Sequence, residues 1–405
     1  MKQVESMDHR PVPIWVPFAL IAGPVVALGF ARFAYALILP AMVRDLGWSL
    51  ATAGAMNTIN ALGYLLGALA TARLANRWGL SRAFIVSLIV TSLALLGTGV
   101  LDSSIVIGLF RFVSGAAGGV AFVAGGGLVA QASAQDSSHR AALLLGIYFG
   151  GAGLGIVLSA WTVPILLTAF PHMIGWRIAW GFLGSVGLLT LIGAVPAAYH
   201  VVQAPSLGDQ GPRVHTKFRQ LRPMLMAYGL YGAGYIVYMT FIVVFLQRHG
   251  VRPQEIVWFW TVLGSAATAF AFVWGGLLGR VSGGRGVAVL VVLVLSGVLL
   301  PLWSTAIIAV LGSAVLFGSA FLAVVTAVTT VARRNLPMQQ WTPALASLTV
   351  AFGLGQSAGP LLAGLMSTGR GGVRTGLILS AVILTLGALT ALTQRDRLAE
   401  ADDSV

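Results

Sequence analysis

Twelve long apolar runs, separated by short polar breaks, take up almost all of this chain of 405 residues. A run of about 20 apolar residues is long enough to cross a lipid bilayer as an α-helix. Charged residues make up only 9% of the chain, against roughly a quarter in soluble globular domains. The pattern therefore predicts an all-α membrane protein with many spans and no sizeable soluble domain.

Clusters of Gly, Pro and charged residues separate the predicted spans. The spans are 14–43, 50–75, 83–101, 105–132, 141–168, 177–198, 223–247, 255–279, 286–303, 306–332, 343–367 and 374–393. The longest polar stretch divides them six and six, which predicts an N-terminal half (1–198), a cytoplasmic linker (199–222) and a C-terminal half (223–405). The string FGGAGLG in the fifth span is echoed by FGLGQSAGP in the eleventh. Halves related by an internal repeat are typical of secondary transporters.

The net charge of +13 raises the possibility of a nucleic-acid partner, but the placement of the basic residues favours a membrane. With both termini in the cytoplasm, about sixteen Lys and Arg residues fall on the cytoplasmic side and about six on the opposite side. This asymmetry predicts a bacterial inner-membrane protein with both termini cytoplasmic. We expect a monomer that contacts the lipid bilayer and binds no nucleic acid.

Signatures of enzymes and metal sites are scarce in this chain. It has no cysteine, which excludes disulfides, thiol nucleophiles and thiolate metal sites. It has no H-E-x-x-H string and no phosphate-binding G-x-x-x-x-G-K string. The glycine-rich stretches lie inside apolar runs with small-xxx-small spacing, which indicates close helix packing. The sequence therefore predicts neither an enzyme nor a bound metal or other cofactor.

Three strings resemble motifs of the major facilitator superfamily. ARLANRWGLSR (72–82) is similar to the family's loop motif between spans two and three, with Asn76 where the family usually has Asp. LFRFVSGAAGG (109–119) resembles the fourth-span motif, in which an intramembrane Arg precedes small residues. GFARFAYALILP (29–40) resembles a bacterial subgroup, the YbfB/YjiJ-type transporters. The resemblance covers essentially the whole chain and implies twelve transmembrane helices in two pseudo-symmetric halves that work by alternating access.

The resemblance also assigns a gating role to the loop between spans two and three. The residues that match the family's loop motif and its usual acidic position are Asn76, Arg77, Gly79 and Arg82. The neutral amide of Asn76 forms weaker hydrogen bonds than the carboxylate that the family usually has there. The resemblance therefore implies an inner gate that is less firmly latched than in most members.

Only two charged residues, Arg32 and Arg111, fall well within the predicted spans, while all 11 acidic residues lie in loops, tails or span ends. A charge at membrane depth is costly and marks a functional site by default. At 1.5 Å per residue, Arg32 lies about 12 Å and Arg111 about 9 Å from the outer ends of their spans. Two guanidinium groups at similar depth predict an anion site, because Arg binds carboxylate or phosphate through two parallel hydrogen bonds. The alternative is that each arginine caps backbone carbonyls or joins helices.

Neutral polar side chains also share helix faces within the spans. Four tyrosines of span seven recur at spacings of 3, 4 and 3, which places them on one face. Two Asn and one Tyr share a face of span two, and one Gln interrupts a glycine run in span eleven. Packing between helices is the alternative for each. The candidate substrate-binding residues are Arg32, Asn57, Asn60, Tyr64, Arg111, Tyr228, Tyr231, Tyr235, Tyr238 and Gln356.

These features predict a secondary transporter that moves a small organic anion, or an amphipathic compound with a carboxylate, across the inner membrane. Two alternatives stay open: broad-range efflux of lipophilic drugs, and a membrane sensor or scaffold that transports nothing. Proton coupling usually uses an intramembrane carboxylate or histidine, which the spans lack. Facilitated diffusion or exchange is therefore favoured, with Asp45 and Glu255 near span ends as the alternative.

Overall fold

The computed structural model describes residues 12–134, 136–170, 173–201, 218–278, 281–369 and 371–396. Within these ranges all regular secondary structure is helical. The central part of the predicted linker 199–222 lies outside the described residues.

The helices follow the order of the predicted spans. The N-terminal helices are α1 (Trp15–Leu46), α2 (Leu50–Trp78), α3 (Leu80–Thr98), α4 (Ser104–Ala132), α5 (Ser138–Ala169) and α6, which has two segments, Met173–Leu189 and Leu191–His200. The C-terminal helices are α7 (Arg222–Arg248), α8 (Pro253–Leu278), α9 (Arg285–Trp303), α10 with segments Ile307–Phe321 and Ala323–Asn335, α11 (Trp341–Met366) and α12 (Gly372–Leu392). The largest difference from the predicted bounds is at the start of α6, expected at 177 and found at Met173.

Ten helical stretches in the described part of the chain are long and apolar enough to cross a membrane. They include every helix except α2 and α8, which are 29 and 26 residues long. Helix α2 packs along α4 and α11, and α8 packs along α5 and α10, so both lie between candidate spans. The all-helical prediction is confirmed for the described residues.

Local sequence signals explain where α1 ends and α2 begins. Gly47 has φ +64° and ends α1, because a residue without Cβ enters the left-handed region without strain. The hydroxyl of Ser49 then accepts a hydrogen bond of 3.0 Å from the backbone N–H of Thr52 and caps the N-terminus of α2. These two residues turn the chain back into the bundle.

Helices α1 and α7 form the interior of the molecule. The most apolar stretch of α1 is 94% buried and that of α7 is 83% buried, whereas the other candidate spans are 33–56% buried. Side chains of α1 and α7 therefore point mainly at protein rather than at lipid. A binding site between the helices has to be built around these two.

The N-terminal and C-terminal helices meet closely at the end of the bundle opposite the chain termini. There α2 lies against α11, and a Cβ built on Gly54 would come closer than 3.0 Å to the carbonyl oxygen of Pro360. A Cβ on Gly364 would clash in the same way with Leu50. Because both glycines lack a side chain, the two backbones approach directly and close this end of the bundle.

Candidate functional site

Arg32 lies in the interior of the bundle, on a stretch of α1 that is wound as a π-helix, Val25–Phe33. Its side chain is 4% exposed. The Nη2 atom donates a hydrogen bond to Oε1 of Gln356 in α11. Its Nε atom is buried with no hydrogen-bond partner among the described residues. The guanidinium lies 5.0 Å from the ring centroid of Tyr64 in α2, a cation–π contact. A buried cation is thus surrounded by neutral groups.

Gln356 extends the contact of Arg32 to a third helix. It is 1% exposed, and its Nε2 donates to the hydroxyl of Tyr235 in α7 at 2.8 Å. Arginine has donors only, so the amide oxygen must face Arg32 and the amide nitrogen must face Tyr235. The resulting chain of hydrogen bonds runs from α1 through α11 to α7 and crosses from the N-terminal to the C-terminal helices.

A stack of aromatic rings adjoins this chain of hydrogen bonds. Its members are Tyr228, Tyr231 and Tyr235 of α7 and Phe352 of α11, with ring planes within 2–15° of parallel and centroids 4.5–6.3 Å apart. Offset stacking at these distances is favourable. We call these four residues the aromatic stack. The stack gives the site a flat apolar wall beside the Arg32 guanidinium.

Two of the tyrosine hydroxyls form hydrogen bonds to other C-terminal helices. The hydroxyl of Tyr231 donates to the carbonyl oxygen of Phe321 at 2.5 Å, while its ring stays in the aromatic stack. Tyr238 lies further along α7, with its hydroxyl 2.5 Å from Oγ of Ser313 and its ring 4.4 Å from that of Phe317. Tyr238 therefore packs α7 against α10, away from Arg32.

Arg111 of α4 is enclosed by other N-terminal helices and is 0% exposed. Its Nη1 donates to the carbonyl oxygen of Ala31 at 2.5 Å, and its Nη2 lies 3.5 Å from Oδ1 of Asn57. The guanidinium lies 4.4 Å from the ring centroid of Tyr35 and 5.5 Å from that of Trp180. Aromatic faces on α1 and α6 thus stabilise the cation, which forms no ion pair with any described carboxylate.

The two asparagines of α2 make different contacts although they share a helix face. The Nδ2 of Asn60 donates to the carbonyl oxygen of Arg111 at 2.9 Å and to Oγ of Ser114 at 3.2 Å, which ties α2 to α4. The Nδ2 of Asn57 donates to Oγ1 of Thr240 in α7 at 2.5 Å. Asn57 therefore links the surroundings of Arg111 to the C-terminal helices.

The residues expected to form a gate lie at the end of the bundle that carries the chain termini. Gly79 has φ +80° and joins α2 to α3 in a conformation open almost only to glycine. Asn76, Arg77 and Arg82 are exposed. Within the described part of the chain no hydrogen bond or ion pair holds their side chains. The described contacts contain no latch at this loop.

One enzyme-like spacing in the chain has a structural explanation. The string GQSAG (355–359) matches the G-x-S-x-G pattern of hydrolase nucleophile elbows, which need a sharp strand-to-helix turn. Here it lies inside α11, and the hydroxyl of Ser357 donates to the carbonyl oxygen of Gly353 at 2.8 Å. The pattern therefore reflects close helix packing. Among the described residues no group of three His, Cys, Asp or Glu side chains is placed as metal ligands would be.

The structure brings Arg32, Tyr64, Tyr235 and Gln356 together, and it places Arg111, Asn57 and Asn60 in a neighbouring network. Phe352 is not among the residues predicted from the sequence, although it precedes Gln356 by four residues and so shares its helix face. The partners of Arg111 and Asn57, which are Tyr35, Trp180 and Thr240, are not among them either. Of these, only Tyr35 could have been predicted from spacing, because it follows Arg32 by three residues on the same helix.

Several solved structures share this fold. A point mutant of the nucleoside transporter NupG superimposes with a TM-score of 0.75 at 12% sequence identity, covering 94% of this chain and 99% of that chain. A bacterial homologue of the human lysosomal transporter Spinster, in an inward-facing and occupied conformation, superimposes with a TM-score of 0.72 at 18% identity, covering 97% and 99% of the two chains. No curated protein matches this chain. A family model described as "Uncharacterised MFS-type transporter YbfB" matches residues 24–392. The chain is therefore a multi-pass membrane protein that belongs to this family of MFS-type transporters.

Proposed function

We propose that this protein is a secondary transporter that moves a small organic anion, or an amphipathic compound with a carboxylate, across the bacterial inner membrane by alternating access. In this proposal all twelve helices cross the membrane, α2 and α8 included. The halves 1–198 and 223–405 move against each other, joined by the cytoplasmic linker 199–222. Family membership, ten candidate spans and the fold shared with known transporters support transport itself.

The buried guanidinium of Arg32 carries the substrate assignment. It has a neutral partner, Gln356, and an Nε atom with no partner among the described residues. The described ion pairs lie elsewhere, in loops and at helix ends. A buried cation of this kind is stabilised most by an anion that accepts hydrogen bonds from its planar fork. The aromatic stack beside it offers a surface for the apolar part of the same molecule.

The cross-contacts between the two halves support alternating access. The hydroxyl of Thr58 in α2 donates to the carbonyl oxygen of Ser357 in α11 at 2.6 Å, next to the close approach of Gly54 to Pro360. The rings of Trp161 in α5 and Trp258 in α8 also meet, with centroids 5.5 Å apart. With both termini in the cytoplasm, these contacts would close the periplasmic side. In this proposal the site would then be accessible from the cytoplasm.

A binding screen followed by a flux assay tests the function. Purified protein is melted in the presence of a metabolite library in which carboxylates are paired with their neutral amides. We expect the stabilising compounds to be anions and to undergo counterflow in proteoliposomes. Arg32→Gln should abolish both effects, while Arg285→Gln, which removes an exposed charge, should preserve them.

Two results would contradict this proposal in different ways. Equal stabilisation by carboxylates and neutral lipophilic compounds, unaffected by Arg32→Gln, would favour broad-range efflux. Binding without any counterflow would favour a sensor or scaffold.

Reporter fusions test the membrane topology. A fusion after His249 follows seven proposed spans and one after Val405 follows twelve, so the two reporters should lie on opposite sides of the membrane. The fusion after Val405 should be cytoplasmic, because the basic residues are concentrated on that side. Reporters on the same side would contradict the twelve-span arrangement.

A further inference from the structure

We propose that Gln356 is a built-in competitor of the substrate. Its amide oxygen binds Arg32 in the position that an oxygen of the substrate's anionic group takes, so the substrate binds by displacing it. This inference rests on the proposed function, because it assumes that Arg32 receives the anion. It adds a residue that sets affinity and that belongs to the opposite half of the protein.

The geometry of the contact resembles that of a bound carboxylate. The Oε1 atom of Gln356 is a planar amide oxygen that accepts from Nη2 of Arg32. A carboxylate oxygen has the same hybridisation and the same lone-pair directions, but it also carries charge. The bond to Gln356 is a single hydrogen bond from Nη2 to a neutral oxygen, whereas a carboxylate adds its own charge and can accept two parallel hydrogen bonds from the guanidinium. An anion should therefore replace the amide, and it would also reach the Nε atom that has no partner among the described residues.

The neighbouring tyrosine gives the displaced amide of Gln356 a hydrogen-bond partner. At present the hydroxyl of Tyr235 accepts from Nε2 of Gln356 at 2.8 Å. A phenol hydroxyl can equally donate. When the anion takes Arg32, rotation of the amide lets Oε1 accept from the same hydroxyl. Tyr235 can thus form one hydrogen bond with Gln356 in both arrangements, which lowers the cost of the exchange.

The chemistry of residue 356 sets how readily this exchange occurs. Arg32 belongs to α1 and Gln356 to α11, so the bond between them joins the two halves. A glutamate here would form a full ion pair with Arg32 and would compete with any anion. An apolar residue would leave the cation without its hydrogen-bond acceptor and give the anion free access. The neutral amide lies between these extremes, because it accepts a hydrogen bond from Arg32 but can be displaced by a stronger acceptor.

Two substitutions at position 356 test the competition in opposite directions. The variants Gln356→Glu and Gln356→Met keep roughly the length of the side chain, and Met removes the strong acceptor without adding charge. The probes are benzoate, succinate and inorganic phosphate, with benzamide as the neutral control, and the readout is ligand-dependent melting converted to Kd. For each probe that binds the wild type, we expect Gln356→Glu to weaken binding at least tenfold. Gln356→Met should strengthen it several-fold, and benzamide should respond in none of the proteins.

The possible outcomes separate this inference from the proposed function. If an anion binds the wild type and both variants with the same Kd, the competition is refuted and anion transport stands. The same holds if Gln356→Met weakens binding, because Gln356 would then assist the substrate. If none of the three anions binds the wild type or Gln356→Met, the anion site itself fails and the competition fails with it. The Met variant decides the question alone if the Glu variant does not fold.

Discussion

Arg32 and Arg111 are two buried arginines in the same membrane-embedded region, yet their surroundings differ in one decisive respect. Arg111 is held by α1, α2 and α6, all in the N-terminal half, through Ala31, Asn57, Tyr35 and Trp180. Arg32 instead donates to Gln356 of α11, one of the C-terminal helices. If the halves move as proposed, a cation whose partners all lie among the N-terminal helices keeps them. A cation whose partner lies among the C-terminal helices has to exchange it, as the proposed transport requires.

The largest expected effect is on stability, through Arg111. Arg111→Gln removes two aromatic contacts and a charged hydrogen bond to Ala31, which together are worth about 3 kcal/mol. We expect the melting temperature of the purified protein to fall by several degrees. Arg32→Gln should leave it unchanged or raise it, because that substitution removes a buried charge with few partners. An equal loss of stability in both variants would break the distinction between the two arginines.

A smaller effect is expected on binding, through Arg32. Arg32→Lys keeps the positive charge but loses the planar fork that can donate to two carboxylate oxygens. An anion that binds the wild type should bind this variant about tenfold more weakly, or about 1.4 kcal/mol, with little change in the melting temperature without ligand. The readout is the Kd from isothermal titration. An unchanged Kd would mean that charge alone holds the anion.

The smallest expected effect is on stability, and it distinguishes Tyr35, which contacts Arg111, from Tyr64, which contacts Arg32. The hydroxyl of Tyr35 donates to the carbonyl oxygen of Ala53 at 2.9 Å, so Tyr35→Phe should cost about 1 kcal/mol of stability. Tyr64 contacts Arg32 through its ring, which Tyr64→Phe retains. That variant should melt like the wild type and bind anions with nearly the same Kd. If Tyr64→Phe loses anion binding, the hydroxyl and not the ring is what the site uses.

The helices could be predicted from the sequence because a membrane imposes its own length on apolar runs. The two arginines could also be predicted as candidate site residues, since charge is rare within such runs. The residues that contact them could not be predicted. Spacing along a helix places residues on a common face, but it does not say which helix that face meets. Asn57 and Asn60 share a face of α2, yet one reaches α7 and the other α4. Likewise Tyr235 bonds Gln356 while Tyr238, three residues on, packs against α10.

The π-helical stretch Val25–Phe33 changes the directions in which the side chains of α1 point before and after it. In an α-helix each residue advances the side-chain direction by roughly 100°, as 3.6 residues complete a turn. The bond of 2.9 Å from the backbone N–H of Ala34 to the carbonyl oxygen of Gly29 spans five residues instead of four. The parts of α1 before and after this stretch are therefore offset by about one residue's rotation. Rewinding the stretch to α-helix would turn the part of α1 before Val25 relative to Arg32 and Tyr35. The winding of this one stretch thus sets the direction of the Arg32 side chain relative to the start of α1.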